Sequence, residues 1–239
     1  MNDPMIIVGA TGAIGSALAR RLAAAGQSLH LIARDGAALA PLAGSLGASF
    51  QVADVLDDAA LQSAVAAAGP RVAGLAYCVG SIVMKPLKRA SVADFADAYA
   101  LNVIGAARAV AAAEAGLRAA DGSVVLFSSV AAQAGFPNHT VIGAAKAGVE
   151  GLSVALAAEL APVRVNCIAP SLTRSKIAAP MTENQAMAKA IAAQHPIARL
   201  GEPDDTAALA EFLLSGQAGW ITGQVIGVDG GRSRLRSKG

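Results

Sequence analysis

The chain has 239 residues and a formal charge of +2, with 19 Lys and Arg against 17 Asp and Glu; 54% of it is hydrophobic and 15% charged. That length suits a single α/β domain, and that apolar content excludes intrinsic disorder. The near-zero charge argues against a nucleic-acid footprint, and only the tail from Arg232 to Lys238 is basic, which reads as a solvated tail. Fifty-nine alanines favour helix.

The first apolar run, Met5–Gly9, predicts a strand that feeds Gly9-Ala-Thr-Gly12-Ala-Ile-Gly15 and a helix ended by Gly26. Leu29–Ala33 predicts a second strand with Arg34 and Asp35 at its tip. Ser49–Ala53 predicts a third, followed by Asp54 and Val55. The fourth, Gly74–Val79, precedes Ser91-Val-Ala-Asp94, a capping box ahead of a long helix from Val92 to Ala115. The fifth strand, Ser123–Ser128, leads to a helix from Gly143 to Leu160 that Pro162 ends. The sixth, Arg164–Ala169, is followed by an Ala-rich stretch without strand character. Pro203 with Asp204 and Asp205 then opens a last helix before a seventh strand, Gln224–Val228.

These strands are continuous apolar runs, as expected of parallel strands buried on both faces. Their alternation with helices predicts one doubly wound α/β domain over residues 1–239: a seven-stranded parallel sheet with helices on both faces. The segment around 171–197 is expected to form a substrate lid. The longest uncharged stretch, Gly122 to Ala145, holds Ser, Gln, Asn, His and Pro, so it reads as strand, loop and helix start rather than a membrane span. Cys78 and Cys167 sit in apolar runs and read as buried free thiols, and no Cys/His spacing suits a metal. No basic leader opens the chain, and the expected location is cytoplasmic.

The glycines at 9, 12 and 15 fall at the first strand-to-helix turn, the context in which such a triplet binds a dinucleotide. Gly9 permits the turn, Gly12 lets backbone approach a diphosphate, and Gly15 lets helix pack on strand. The helix start offers free N–H groups to the phosphates. At the tip of the second strand Ala33 stands where a ribose-binding carboxylate is usual for NAD, and Arg34 suits a 2′-phosphate, so NADP(H) is favoured over NAD(H). Asp35 either caps the next helix or reaches the ribose. Asp54 either accepts from the adenine amino group or caps the helix after it.

The chain resembles the short-chain dehydrogenase/reductase family nearly end to end. The residues that carry the resemblance are the glycine turn, Asp54-Val55, Leu101-Asn-Val, Ser128-Ser129, Arg164-Val-Asn-Cys-Ile-Ala-Pro170, Arg199-Leu-Gly201-Glu-Pro203 and Thr222-Gly223 through Asp229-Gly-Gly231. The resemblance implies a Rossmann-type domain. It also implies cofactor contacts from Thr11, Ala13 and Ile14, from Val55, Val79 and Gly80, and from Pro170, Ser171, Thr173 and Ser175, the last where a threonine often bonds the nicotinamide amide. It implies catalytic roles for Asn102 (a relay water), Ser129 (the carbonyl oxygen) and Lys146 (the nicotinamide ribose).

The family's tyrosine falls at residue 142, and here that residue is Ile142. Isoleucine has no proton to give. His139, three residues earlier and on the same helical face, is the candidate substitute acid, with a surface or cap role as its alternative. Tyr77 and Tyr99 read mainly as packed aromatics, and Lys146 either occupies the family site or pairs with Glu150 on the helix surface. Other departures are Tyr77-Cys-Val-Gly80 for Asn-Asn-Ala-Gly and Pro170-Ser171 for Pro-Gly. The expected function is an NADP(H)-dependent oxidoreductase with an altered proton donor, acting on a small or apolar carbonyl or alcohol; the alternative is a non-catalytic NADP(H)-binding sensor. Its partners are expected to be the small-molecule substrate and a second copy, with no nucleic acid and no membrane. The two long apolar helices predict a homodimer or homotetramer.

Overall fold

The structure is a computed structural model that describes residues 3–235. Seven parallel strands form one sheet: β1 (Met5–Val8), β2 (Leu29–Ala33), β3 (Ser49–Val52), β4 (Gly74–Tyr77), β5 (Ser123–Phe127), β6 (Arg164–Pro170) and β7 (Val225–Val228). Their order is β3-β2-β1-β4-β5-β6-β7. Met5 registers with Leu29 on one side and Gly74 on the other, so the order of the strands reverses beside β1. Ligands of open parallel sheets bind outside the carboxyl ends at such a point.

The helices are α1 (Ala13–Ala24), α2 (Gly36–Leu46), α3 (Asp58–Ala66), α4 (Val92–Tyr99), α5 (Gly105–Ala119), α6 (Thr140–Glu159), α7 (Ala179–Thr182), α8 (Gln185–Ala192) and α9 (Pro203–Leu214). Alternation along β1 distributes the core between two layers. Ile6 and Val8 pack with Leu61 of α3, Val110 and Leu117 of α5 and Val149 of α6. Met5 and Ile7 pack with Leu18 and Leu22 of α1, Leu39 of α2 and Leu213 of α9. Fully burying one such aliphatic side chain is worth about 1.5–3 kcal/mol.

Three expectations change. Every residue of β3 is exposed, because β3 is the sheet edge and only the start of α2, at Gly36, comes close to it. The long fourth helix reaches Ala119 and carries one π-helical turn, Ala100–Ile104, between α4 and α5. The Asn102 side chain enters the backbone ladder there, its Nδ2 donating to the Ala98 carbonyl at 2.8 Å, while the Tyr77 hydroxyl donates to the Leu101 carbonyl at 2.7 Å. The basic tail also leaves its expected course. Arg232 faces the main cavity, and positions 236–238 of that tail lie outside the described residues.

The segment 171–197, expected to form a lid, folds into a 3₁₀ turn at Lys176–Ala178, then α7 and α8. His195 ties its two ends together. Nδ1 meets the Ile191 carbonyl at 2.9 Å, and Nε2 meets the Ser171 hydroxyl at 2.8 Å. A carbonyl only accepts, so Nδ1 carries the proton and, in the neutral ring, Nε2 accepts from Ser171.

Candidate active site

A cavity of about 820 Å³ opens across the carboxyl ends of the sheet. Its wall takes Gly9 from β1, Arg34 from β2, Asp54 after β3, Val79 and Gly80 after β4, Ser129 after β5 and Ser171 after β6. Each residue stands at the first turn after its strand, where parallel strands all release the chain on one side.

The nucleotide end is built from backbone. Gly9 has φ +83, and a Cβ there would lie 2.9 Å from Val79. A Cβ on Gly15 would collide with the Gly9 carbonyl oxygen, so Gly15 closes helix onto strand and does not itself line the cavity. Gly12 caps α1 without a side-chain bond, which leaves the first-turn N–H groups facing the cavity beside Thr11, Ala13 and Ile14. Such a helix start could hold a diphosphate.

The open alternatives along this end resolve. Asp35 accepts from Ala38 N at 3.1 Å and caps α2; it is not on the cavity wall. Arg34 is on the wall, exposed, and forms no ion pair among the described residues. Asp57, not Asp54, caps α3. Asp54 accepts from Leu56 N at 3.0 Å and lines the cavity with Val55.

The reaction end centres on Lys146. Its side chain is buried, with Nζ donating to the Phe127 carbonyl at 2.8 Å, and burial pushes its pKa down to about 8. Glu150 is not its partner; that carboxylate accepts from Ser128 Oγ at 2.8 Å and from Gln133. A Cβ on Gly80 would lie 3.1 Å from both Lys146 Nζ and Asn102 Oδ1. So an ammonium and an amide oxygen converge on one glycine. Asn102 Oδ1 is buried with no hydrogen-bond partner among the described residues, although Nδ2 reaches Ala98 and Ser81. A buried orphan acceptor of this kind calls for a water or a ligand hydroxyl. Asn102 itself stands behind the wall that its neighbour Leu101 lines.

Ser129 lines the cavity and accepts from Ala131 N at 3.2 Å, which leaves its proton to donate. Ile142 is buried on the cavity wall. Neither tyrosine replaces a phenol there. Tyr77 is buried with its pKa pushed up by burial, Tyr99 is half exposed beside Gly148, and neither lines the cavity. His139 lines the cavity at the start of α6, its Nδ1 on the Pro137 carbonyl at 2.7 Å. It stands at the cap position without a side-chain capping bond.

Pro170, Ser171, Thr173 and Ser175, expected as cofactor contacts, line the cavity. Three of them are already engaged: Ser171 with His195, Thr173 Oγ1 with the Ser171 carbonyl at 3.0 Å, and Ser175 with Ala178 N at 3.3 Å. Sequence reasoning missed Ser81, Ile82 and Met84 after β4, Phe136 before α6, Gln194 after α8 and Arg232 after β7. No local pattern marks them, because tertiary folding alone brings them to the wall. Cys78 also lines it, but burial pushes its thiol up to about 12, so it is no nucleophile at neutral pH.

Residues 9–233 match the family model described as enoyl-(acyl carrier protein) reductase. The chain is 35% identical over 236 residues to the inactive 2-(S)-hydroxypropyl-CoM dehydrogenase 2 of Xanthobacter autotrophicus, covering 91% of this chain and 100% of that one. It is 34% identical to 2-keto-3-deoxy-L-fuconate dehydrogenase of Xanthomonas campestris, covering 92% of this chain and 78% of the relative. A solved short-chain type dehydrogenase/reductase from Mycobacterium ulcerans superposes with a TM-score of 0.92 at 30% identity, over 99% of this chain and 92% of that structure. With a family model matched over nearly the whole chain and relatives of this identity and coverage, the chain belongs to the short-chain dehydrogenase/reductase family of NAD(P)-dependent oxidoreductases.

Proposed function

We propose that the chain binds NADP(H) in preference to NAD(H) and interconverts a small, largely apolar carbonyl compound and its alcohol without a catalytic tyrosine. The observation that carries this reading is the convergence of Lys146 Nζ and Asn102 Oδ1 on Gly80, one residue on from the Val79 that packs against Gly9. A surface-binding protein has no use for a buried ammonium and a buried orphan acceptor in that place.

The α1 N-terminus would hold the diphosphate, Arg34 the 2′-phosphate, and Asp54 the adenine amino group. Lys146 would bond the nicotinamide ribose. When bound, the nicotinamide supplies or takes up the hydride. Ser129 donates to the carbonyl oxygen and polarises it. Reduction then needs one proton on that oxygen. His139 is the candidate source: its Nδ1 is held by Pro137, so the proton it gives is the one on Nε2 of the imidazolium. Outward faces of α5 and α6 would join two or four copies.

A second reading, an NADP(H)-binding sensor without turnover, draws on the apolar Ile142 at the position of the family's acid. Two experiments address the cofactor and the activity in turn. Calorimetric titration should give tighter binding of NADPH than NADH. Arg34→Ala should cost about 1.5–3 kcal/mol for NADPH and little for NADH, the scale of a charge-assisted hydrogen bond. Equal losses for both nucleotides would contradict the assignment of Arg34. NADPH oxidation across aldehydes, ketones and quinones then separates the enzyme from the sensor.

A further inference from the structure

Past β7 the chain turns back on itself. Gly230 and Gly231 both take left-handed φ, +61 and +87. The Asp229 carboxylate pins the turn by accepting from Gly231 N at 2.8 Å, from Ser233 N at 2.9 Å and from the Ser233 hydroxyl. Ile197 N holds the Gly230 carbonyl at 3.0 Å, which fastens the turn to the end of the lid. Two glycines in succession let the backbone reverse without strain, and the next side chain, Arg232, is delivered to the cavity wall.

There the guanidinium carbon lies 4.6 Å from the centroid of the Phe136 ring, and Nη2 donates to Gln194 Oε1 at 2.6 Å. Neither partner is an anion. Among the described residues no carboxylate forms an ion pair with Arg232. Asp229 attracts it, but its oxygens serve the turn. Asp54, at the nucleotide end, is the only described carboxylate on the cavity wall. The guanidinium is partly withdrawn from water, and burial shifts its pKa down, yet an arginine stays charged. Of its three nitrogens only Nη2 makes a side-chain hydrogen bond among the described residues.

Ile177, Met181, Ile191 and Phe136 give the same cavity apolar walls, and Lys176, exposed beside Ile177, is the other cation near them. Phe136 also touches His139, with ring centroids 5.4 Å apart, and Ile142 follows one helical turn on. The cation therefore sits within the substrate half of the cavity, joined to the reaction end through one aromatic ring.

We propose that Arg232 binds a carboxylate on the substrate, at the end remote from the reacting carbonyl, so that the substrate class is an oxo acid with an apolar body. This rests on the carbonyl-reductase reading above and narrows it. A planar guanidinium fork matches a carboxylate with two parallel hydrogen bonds, and the aromatic ring beneath holds the fork flat.

The test uses the full chain with saturating NADP⁺ and calorimetric titration of straight-chain oxo acids of five to eight carbons beside their methyl esters. Wild type should bind at least one acid about tenfold to hundredfold more tightly than its ester, the scale of a charge-assisted bond. Arg232→Met keeps an apolar stem on Phe136; it should erase that gap, leave ester and nucleotide affinity in place, and Arg232→Lys should restore part of the gap. Equal affinity for acid and ester, a gap that survives Arg232→Met, or no binding by any acid would overturn the proposal. Turnover separates it from the broader reading. An Arg232-dependent acid preference without NADPH oxidation keeps the anion site and removes the reductase. NADPH oxidation with acids and esters alike, and no gap, does the reverse.

Discussion

Ile142 and Lys146 lie one turn apart on α6 and both face the cavity, so a phenol at 142 would stand beside an ammonium already depressed to about 8. That spacing makes the missing proton donor a question for one substitution. A positioned acid contributes about 10²–10⁴-fold, so carbonyl reduction by wild type should be weak unless another group supplies the proton. Ile142→Tyr should raise NADPH-dependent turnover by a factor in that range, at a stability cost of about 1–3 kcal/mol for overpacking. Substantial wild-type turnover that His139→Ala abolishes, with nucleotide affinity intact, assigns the proton to His139. Turnover that survives His139→Ala removes histidine and leaves water held at Asn102 Oδ1. The placement of single residues was legible where a motif fixed it: Gly9, Gly12, Ile142 and Lys146 all come to the cavity wall. They were ambiguous where two bonds compete for one side chain. Asp35 and Asp54 look alike in sequence, and only the capping bond of Asp35 to Ala38 N separates them. Arg232 was misread, because composition makes a basic tail look solvated and carries no sign of the turn at Gly230 and Gly231.

Among the elements, the strands were readable to within two residues, since parallel strands buried on both faces write themselves as unbroken apolar runs. β3 carried the same kind of run and came out exposed, because position in the sheet, not local sequence, decides whether a strand is covered. The π-helical turn was illegible: Ala100-Leu-Asn-Val-Ile104 has nothing in its pattern that departs from an α-helix. Its cause is tertiary. The Tyr77 hydroxyl bonds the Leu101 carbonyl, and a Cβ on Gly105 would collide with that hydroxyl. The turn also sets Asn102, so its integrity bears on the reaction end. Gly105→Ala should therefore lose about 1–3 kcal/mol by overpacking, although alanine is the better helix former by about 1 kcal/mol. In a Tyr77→Phe background the obstructing oxygen is gone, and the same substitution should cost less or stabilise. Urea unfolding of the four proteins gives the coupling. Additive effects would show that the hydroxyl does not constrain the turn.

At the scale of the whole molecule, two surfaces are left apolar. The stretches Val92–Ala119 and Thr140–Glu159 are long and apolar enough, by length and composition, to cross a membrane, yet both give one face to the sheet core. Opposite that face, α6 exposes Ala144, Ala147, Gly151, Val154 and Ala158 at alternating steps of three and four, a single stripe without charge. A Cβ on Gly151 would meet nothing within 4 Å, so a facing helix has room to approach closely. Ile104, half exposed at the junction with α5, adds to the apolar surface of this layer. At the β7 end of the sheet, Trp220 is fully exposed and Phe212 of α9 is partly so. Large aromatic groups in water usually mark a contact surface. The expectation is a twofold pairing through α6, which buries its stripe against a copy of itself, and a second pairing near Trp220 that turns dimers into tetramers. Light scattering at micromolar concentration should give a mass of two or four times the 23.6 kDa chain. Gly151→Arg adds a long cation at the centre of the stripe, where its symmetry mate would meet it. It should abolish the α6 pairing without touching the core, and circular dichroism and NADPH affinity should stay as in wild type. Trp220→Ser should reduce tetramer to dimer and leave the α6 pairing intact. A wild-type mass equal to one chain, or a mass that Gly151→Arg does not change, would show that the stripe on α6 faces solvent.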